Sequence, residues 1–232
     1  MSTGVLVTAL ATPIYYAEEL TNQLLKSAKK RAKDLKKDGY YGGTVDFMVM
    51  KSVTMISSNI GEFRRQGLTK SGNIGKFRRQ GLTKSEPKEQ ELKLYAAPYT
   101  LHELGGIIDT VKALKKSEFP RSQLYQIRSL LEQGKNTAIL NYRYFRVRLK
   151  GEEQQKLLKA QFEEAWCGAK TNKGNLAPWM SLKKDDKQES EQEKEKVTYE
   201  TIWRELVDLY PFIEEPEETA TTQQTINVGD NA

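Results

Sequence analysis

Residues 59–71, NIGEFRRQGLTKS, recur after Gly72 as residues 73–85, NIGKFRRQGLTKS; 12 of the 13 positions are identical, and only Glu62 has changed, to Lys76. Glycines bracket each Phe-Arg-Arg-Gln core, so neither copy continues as a regular helix or strand. The pair predicts one exposed, flexible loop over 59–85, inserted into whatever folds around it. Loops of that length are uncommon unless they are functional or disordered.

The two copies are also basic. Glu62 with Arg64, Arg65 and Lys70 gives the first a net +2, and Lys76 with Arg78, Arg79 and Lys84 gives the second +4. An aromatic ring beside an arginine pair, with Thr-Lys-Ser following, suits phosphate clamping and base stacking. A tolerated in-frame duplication explains the same letters without any use, since exposed loops accept insertions. A viral origin is compatible with such a duplication.

Charge is unevenly spread along the whole chain. Residues 1–188 hold 34 Lys and Arg against 19 Asp and Glu, whereas residues 189–232 hold 3 against 12. A basic body implies a polyanionic partner: nucleic acid, with single-stranded RNA favoured, or an anionic membrane surface. An acidic tail can compete for that surface or simply keep the chain in solution. A single cysteine, Cys167, excludes an internal disulfide framework, and a single histidine, His102, leaves too few soft ligands for a zinc site.

The pattern along the chain predicts an α+β fold: an N-terminal amphipathic basic helix, a mixed core of helices and antiparallel strands, a tethered C-terminal helix and a disordered acidic tail. Thr12 as N-cap and Pro13 as first helical residue open a helix that Gly39 stops. Its apolar residues Ala17, Leu20, Leu24, Ala28 and Leu35 fall near one face. Lys26, Lys29, Lys30, Arg31, Lys33, Lys36 and Lys37 crowd its second half, where like charges repel across each turn and an anion would relieve them. The stretch Lys26–Lys37 also fits a nuclear-localisation signal. The core spans 39–169 with the repeat loop 59–85 inserted. It has an alternating strand at Thr44–Ile56, a short strand near Leu92–Tyr95, and a capping box at Thr100–Glu103 that opens a helix to Lys116. A helix over Ser122–Gln133, a strand over Ala138–Lys150 and a helix over Glu152–Cys167 complete it. A polar linker at 170–197, a short helix at 198–213 and an acidic tail at 214–232 follow.

Strict alternation in AILNYRYFRVRLK places Tyr142, Tyr144, Arg146, Arg148 and Lys150 on one face of the expected strand. Rings beside cations suit single-stranded nucleic acid, and suit equally an exposed strand whose arginines stack on its tyrosines. With the repeat cations and Lys29, Lys30, Arg31 and Lys33, these residues form the expected contact surface. In the last helix, Trp203, Leu206, Tyr210 and Pro211 are expected to meet a protein partner. Leu209–Ile213 resembles the Tyr-Pro peptides by which some viral structural proteins recruit membrane-fission machinery, with Ile213 where those carry leucine.

No catalytic residues, metal or cofactor are expected. His102 stands without an activating partner pattern. Gly67–Gly72 lacks the lysine of a phosphate-binding loop. The expectation is therefore a non-enzymatic RNA-binding or nucleocapsid-associated structural protein. A peripheral-membrane, matrix-type assembly protein is the first alternative, with Met1–Ile14 as its only apolar insertion. An adaptor working through the C-terminal helix is the second. Homo-oligomerisation stays open. The expected location is intracellular, cytoplasmic before nuclear, or within a virion.

Overall fold

The protein is α+β. The computed structural model describes residues 1–50, 59–61, 64, 90–149, 151–167, 176–182 and 197–214. The N-terminal half begins with strand β1 (Ser2–Val7), helix α1 (Ile14–Lys37) and strand β2 (Thr44–Val49), and β1 runs parallel to β2 from Ser2↔Thr44 to Val7↔Val49. Two parallel strands need a crossover between them, and α1 is that crossover. The apolar N-terminus is thus the edge of a sheet.

Helix α1 starts one residue later than its capping signal suggests. Pro13 is the N-cap, and the Thr12 hydroxyl pairs with that of Thr8 at 2.6 Å instead of capping. Its far end follows the sequence signal: Gly39 takes φ 84°, and the Tyr40 amide returns to the Leu35 carbonyl at 3.0 Å. Tyr16, Leu20, Leu24 and Ala28 form its buried face. Close approach to β1 requires Gly4, because a Cβ there would lie 2.5 Å from the Leu25 amide nitrogen.

Strand β2 is buried on both sides, not half-exposed as its alternation suggests. The Thr44 hydroxyl donates to the Ala28 carbonyl at 2.9 Å, and Met48 joins Leu20 and Leu24 on the α1 side. Phe47 points into the larger core and stacks on Tyr99 with ring centroids 6.0 Å apart. A strand covered on both faces carries a near-continuous apolar run, and in TVDFMV only Thr44 and the ion-paired Asp46 interrupt it.

Beyond the repeats come β3 (Gln90–Lys93), β4 (Tyr99–Thr100), α2 (Leu101–Lys116), α3 (Arg121–Leu131), α4 (Lys135–Arg148) and α5 (Glu152–Leu158). The last of these widens into a π-helical segment, Lys159–Cys167. The capping box forms as the sequence predicts: Thr100 accepts from the Glu103 amide at 3.1 Å, and Glu103 from the Thr100 amide at 2.7 Å. Gly134, at φ 102°, separates α3 from α4. Strands β5 (Met180–Leu182) and β6 (Val197–Glu200) precede helix α6 (Trp203–Leu209) and a 3-10 turn, Tyr210–Phe212. One sheet has the order β1-β2-β4 and the other β3-β6-β5.

Three readings need correction. Ala138–Leu149 is helical up to Arg148, not a strand. Ala138, Tyr142 and Leu149 are buried while Leu140, Tyr144 and Val147 are exposed, a three-to-four-residue period in place of a two-residue one. The last helix is not tethered outside the core. Ile202, Trp203, Leu206 and Val207 are fully buried, and Trp203 lies edge-on to Phe162 at 4.8 Å with its indole N–H donating to the Leu124 carbonyl at 3.1 Å. Within the expected polar linker, Trp179 is fully buried and Met180–Leu182 pairs with β6. The remaining parts of that linker, most of the repeat loop and residues 215–232 of the acidic tail lie outside the described residues.

Replacing Gly4 with Ala tests the α1–β1 contact, since the new methyl meets backbone atoms that have no rotamer to yield. The expected loss is about 1–3 kcal/mol, the usual cost of overpacking, read as a lowered denaturant midpoint with an unchanged m-value.

Candidate functional site

Among the described residues, the exposed side of α1 carries a dense row of positive charge. At about 100° per residue, Lys26, Lys29, Lys30, Lys33, Lys36 and Lys37 fall within about a third of the helix circumference, opposite the buried face, and all six are exposed. Lys37 lies 3.6 Å from Asp34, and Lys36 sits over the Tyr41 ring at 5.8 Å. Among the described residues, Lys26, Lys29, Lys30 and Lys33 have no ion-pair partner. Arg31 turns toward α2, where it meets Glu103 at 3.8 Å. A rigid helix anchored along its other side thus presents a row of ammonium groups to solvent.

The tyrosine–arginine face expected at 142–150 is divided by the helix. Tyr142 is buried and donates to Glu163 at 3.1 Å, and Arg146 pairs with the same carboxylate at 2.6 Å. Burial, and then the Glu163 charge, push the Tyr142 hydroxyl well above its ordinary pKa. Tyr142 and Arg146 therefore hold α4 against the π-helical segment, with the Tyr142 ring buried and the Arg146 side chain still 38% exposed. Tyr144 and Arg148, one turn apart, do face outward. The guanidinium donates to the Tyr144 hydroxyl at 2.9 Å and lies 5.0 Å from the ring centroid. Lys150 lies outside the described residues.

Arg64 is the one repeat cation that is described, and it faces inward. Its guanidinium grips the fully buried Asp46 carboxylate at 2.7 and 3.1 Å, reaches the Phe47 carbonyl at 3.2 Å, and lies 5.7 Å from the Tyr95 ring centroid. Burial disfavours its charge, but the hydrogen bonds and charge of Asp46 outweigh that and leave its pKa raised. An expected phosphate contact is thus a core ion pair, because a buried carboxylate needs a cation. Arg65, Lys70, Lys76, Arg78, Arg79 and Lys84 lie outside the described residues.

Nearby, Glu205 of α6 accepts from the amides of Ala96 at 2.9 Å and Ala97 at 3.0 Å, and from the Tyr99 hydroxyl. Tyr95 lies under a second guanidinium, that of Arg204, at 4.8 Å. Burial raises Glu205 to about 7 despite those donors, and raises Glu200 to about 7 as well. With Asp46 at 0% exposure and Glu205 at 2%, this cluster is closed to reactants and locks segments of the fold together. Composition hides it, because it is assembled from residues far apart in the chain.

The expected partner contacts are similarly occupied. Trp203 and Leu206 have no exposed surface and Tyr210 only 7%, because they complete the core. Pro211 and Phe212 are exposed. His102 is exposed at the start of α2, and burial pushes the Cys167 thiol far up, away from the thiolate that a nucleophile needs. Among the described residues, no three His, Cys, Asp or Glu side chains converge as metal ligands, and no helix is long and apolar enough to cross a membrane. No protein-family model matches the chain, and no curated protein resembles it closely enough to be a relative.

Two measurements check these assignments. Tyr142→Ala is expected to cost about 3–5 kcal/mol, as for other large core aromatics, while Tyr144→Ala stays within about 0.5 kcal/mol. Equal losses in thermal melts would place both rings on the same face. For pH, the folded state retains protons on Glu205 and Glu200 up to about 7 that the unfolded chain releases near its ordinary 4.5. Their stabilisation is complete below that lower value and is lost as pH rises through the upper one. Melting temperature is therefore expected to fall between about pH 5 and pH 8, and to fall less in Glu205→Gln. A profile that Glu205→Gln leaves unchanged would remove that residue from the account.

Proposed function

We propose that this chain is a non-enzymatic nucleic-acid-binding structural protein of the nucleocapsid-associated kind, which grips the phosphates of single-stranded RNA with the lysine face of α1. The observation that carries the reading is the alignment of six exposed lysines along one side of a helix whose other side is fixed in the core. Lysines at three- and four-residue spacing repel one another, so an anion laid along the row relieves a strain that the isolated helix retains. A row of ammonium groups recognises backbone charge and carries no base preference. The exposed Tyr144–Arg148 pair adds a ring and a planar cation suited to stacking an unpaired base.

A matrix-type reading on anionic lipid keeps one specific support. Leu10, Ile14 and Tyr15 are exposed near the N-terminal end of the same helix. Most of the apolar N-terminus, however, is engaged as β1, which leaves little to insert. Stable attachment to a bilayer usually needs such an insertion in addition to charge.

The test is a titration with labelled single-stranded RNA at several salt concentrations, using acidic vesicles as competitor. The comparison is a variant with Lys26, Lys29, Lys30 and Lys33 all replaced by Gln. The plot of log affinity against log salt is expected to lose about 0.7 of slope per lysine in contact, with stability unchanged or slightly raised. RNA affinity indifferent to the four substitutions would reject the reading, and displacement of RNA by vesicles would favour the membrane alternative.

A further inference from the structure

The head of the first repeat occupies a defined socket. The Ile60 amide donates to Gln23 Oε1 at 3.0 Å. Its side chain, 6% exposed, packs with Leu20, Leu24 and Met48. Four residues on, Arg64 reaches Asp46 and the Phe47 carbonyl. Every socket residue lies on α1, on β2 or at Tyr95, outside the repeats.

The second repeat carries the same head. Asn73-Ile74-Gly75 and Phe77-Arg78-Arg79 match Asn59-Ile60-Gly61 and Phe63-Arg64-Arg65 letter for letter, at the same spacing. The one difference, Glu62 against Lys76, involves neither contact residue. We infer that the socket formed by Gln23, Asp46 and the Leu20–Leu24–Met48 surface is a peptide-binding site whose ligand is the sequence Asn-Ile-Gly-x-Phe-Arg, and that it takes the second copy, through Ile74 and Arg78, in place of the first.

Chain connectivity permits both seatings. With the first copy seated, 9 residues (50–58) lead from β2 to the socket and 25 (65–89) lead on to β3; with the second, the lengths become 23 (50–72) and 11 (79–89). Closure entropy depends on the logarithm of each length, and the two products are so close that it separates the seatings by a factor of only about 1.2. Eleven residues reach up to about 36 Å, and the seated guanidinium is already within 5.7 Å of the Tyr95 ring, five positions beyond the start of β3. Exchange therefore transfers 14 residues of basic sequence from one side of the socket to the other and changes which arginine is held inside.

Thermal melts of full-length Arg64→Ala, Arg78→Ala and the double variant test this. If either copy fills the socket, each single variant is expected to lose less than about 3 °C, and the double about 10 °C, as for a buried carboxylate stripped of its cation in a protein of this size. A double variant that does not fold beside an Arg64→Ala variant that does would support exchange equally. Arg64→Ala falling as far as the double, or no shift in any variant, overturns it. Deleting Gly72–Ser85 from the Arg64→Ala protein removes the spare head and is expected to bring it down to the level of the double. A deletion that leaves its melting temperature unchanged also overturns the inference.

Discussion

Asp46 sits without solvent exposure on β2, the central strand of the first sheet, whose Phe47 and Met48 join the two hydrophobic clusters. A carboxylate in that position is tolerable only with a cation against it, and Arg64 supplies the cation from 18 positions further along the chain. The consequences run outward from that pair. Arg64 brings Ile60 down on Leu20 and Leu24, and so seals α1 over one face of β2. On the other face Phe47 stacks on Tyr99, whose hydroxyl reaches Glu205, and Glu205 in turn fastens α6 to the Ala96 and Ala97 amides. The long basic insertion is anchored at its start by the same interaction that orders the core.

Sequence signals are legible where the chemistry is local. The capping box at Thr100, the glycines at 39 and 134, and the apolar face of α1 each depend on neighbours a few residues away, and each is found in the structure. The segment Ala138–Leu149 failed for a specific reason. Tyr142, Tyr144, Arg146 and Arg148 alternate with Arg143, Phe145, Val147 and Leu149, a run apolar enough to satisfy a two-residue period. Ala138, Tyr142 and Leu149 at the same time satisfy a helical one, and only packing against Phe162 and Trp203 decides between them. For the last helix the amphipathic pattern was legible, but the owner of the groove was not. A charged run between residues 183 and 196 made the helix look detached, although Trp203 is the centre of an aromatic cluster. At the candidate site, the lysine row was visible as spacing, whereas the internal role of Arg64 was invisible because the partner lies 18 positions away on a strand.

Four arginines and the lysines of α1 are put to different uses. Arg64, Arg128, Arg146 and Arg204 are paired with Asp46, Asp208, Glu163 and Glu132, at or beneath the surface. Their planar, weakly hydrated guanidinium groups suit such sites. The strongly hydrated ammonium groups of α1 stay in water. Counting charge from the sequence therefore overstates what is presented to a partner, since these four arginines are committed to pairs within the fold.

The two sheets differ in the order in which a growing chain can complete them. β1, α1 and β2 are all in place by residue 49, so that unit needs only nearby sequence. The second sheet pairs Gln90 with Val197 and Leu92 with Tyr199, and it must wait until β6 has been synthesised. Contacts so distant in sequence are slow to form. During that interval Phe162, Tyr142 and Leu124 lack the indole that later covers them, so the incomplete chain exposes an aromatic surface for as long as synthesis of α6 is delayed. A chain cut short before Trp203 would thus be a natural client for chaperones, while one that has folded with α6 in place would not.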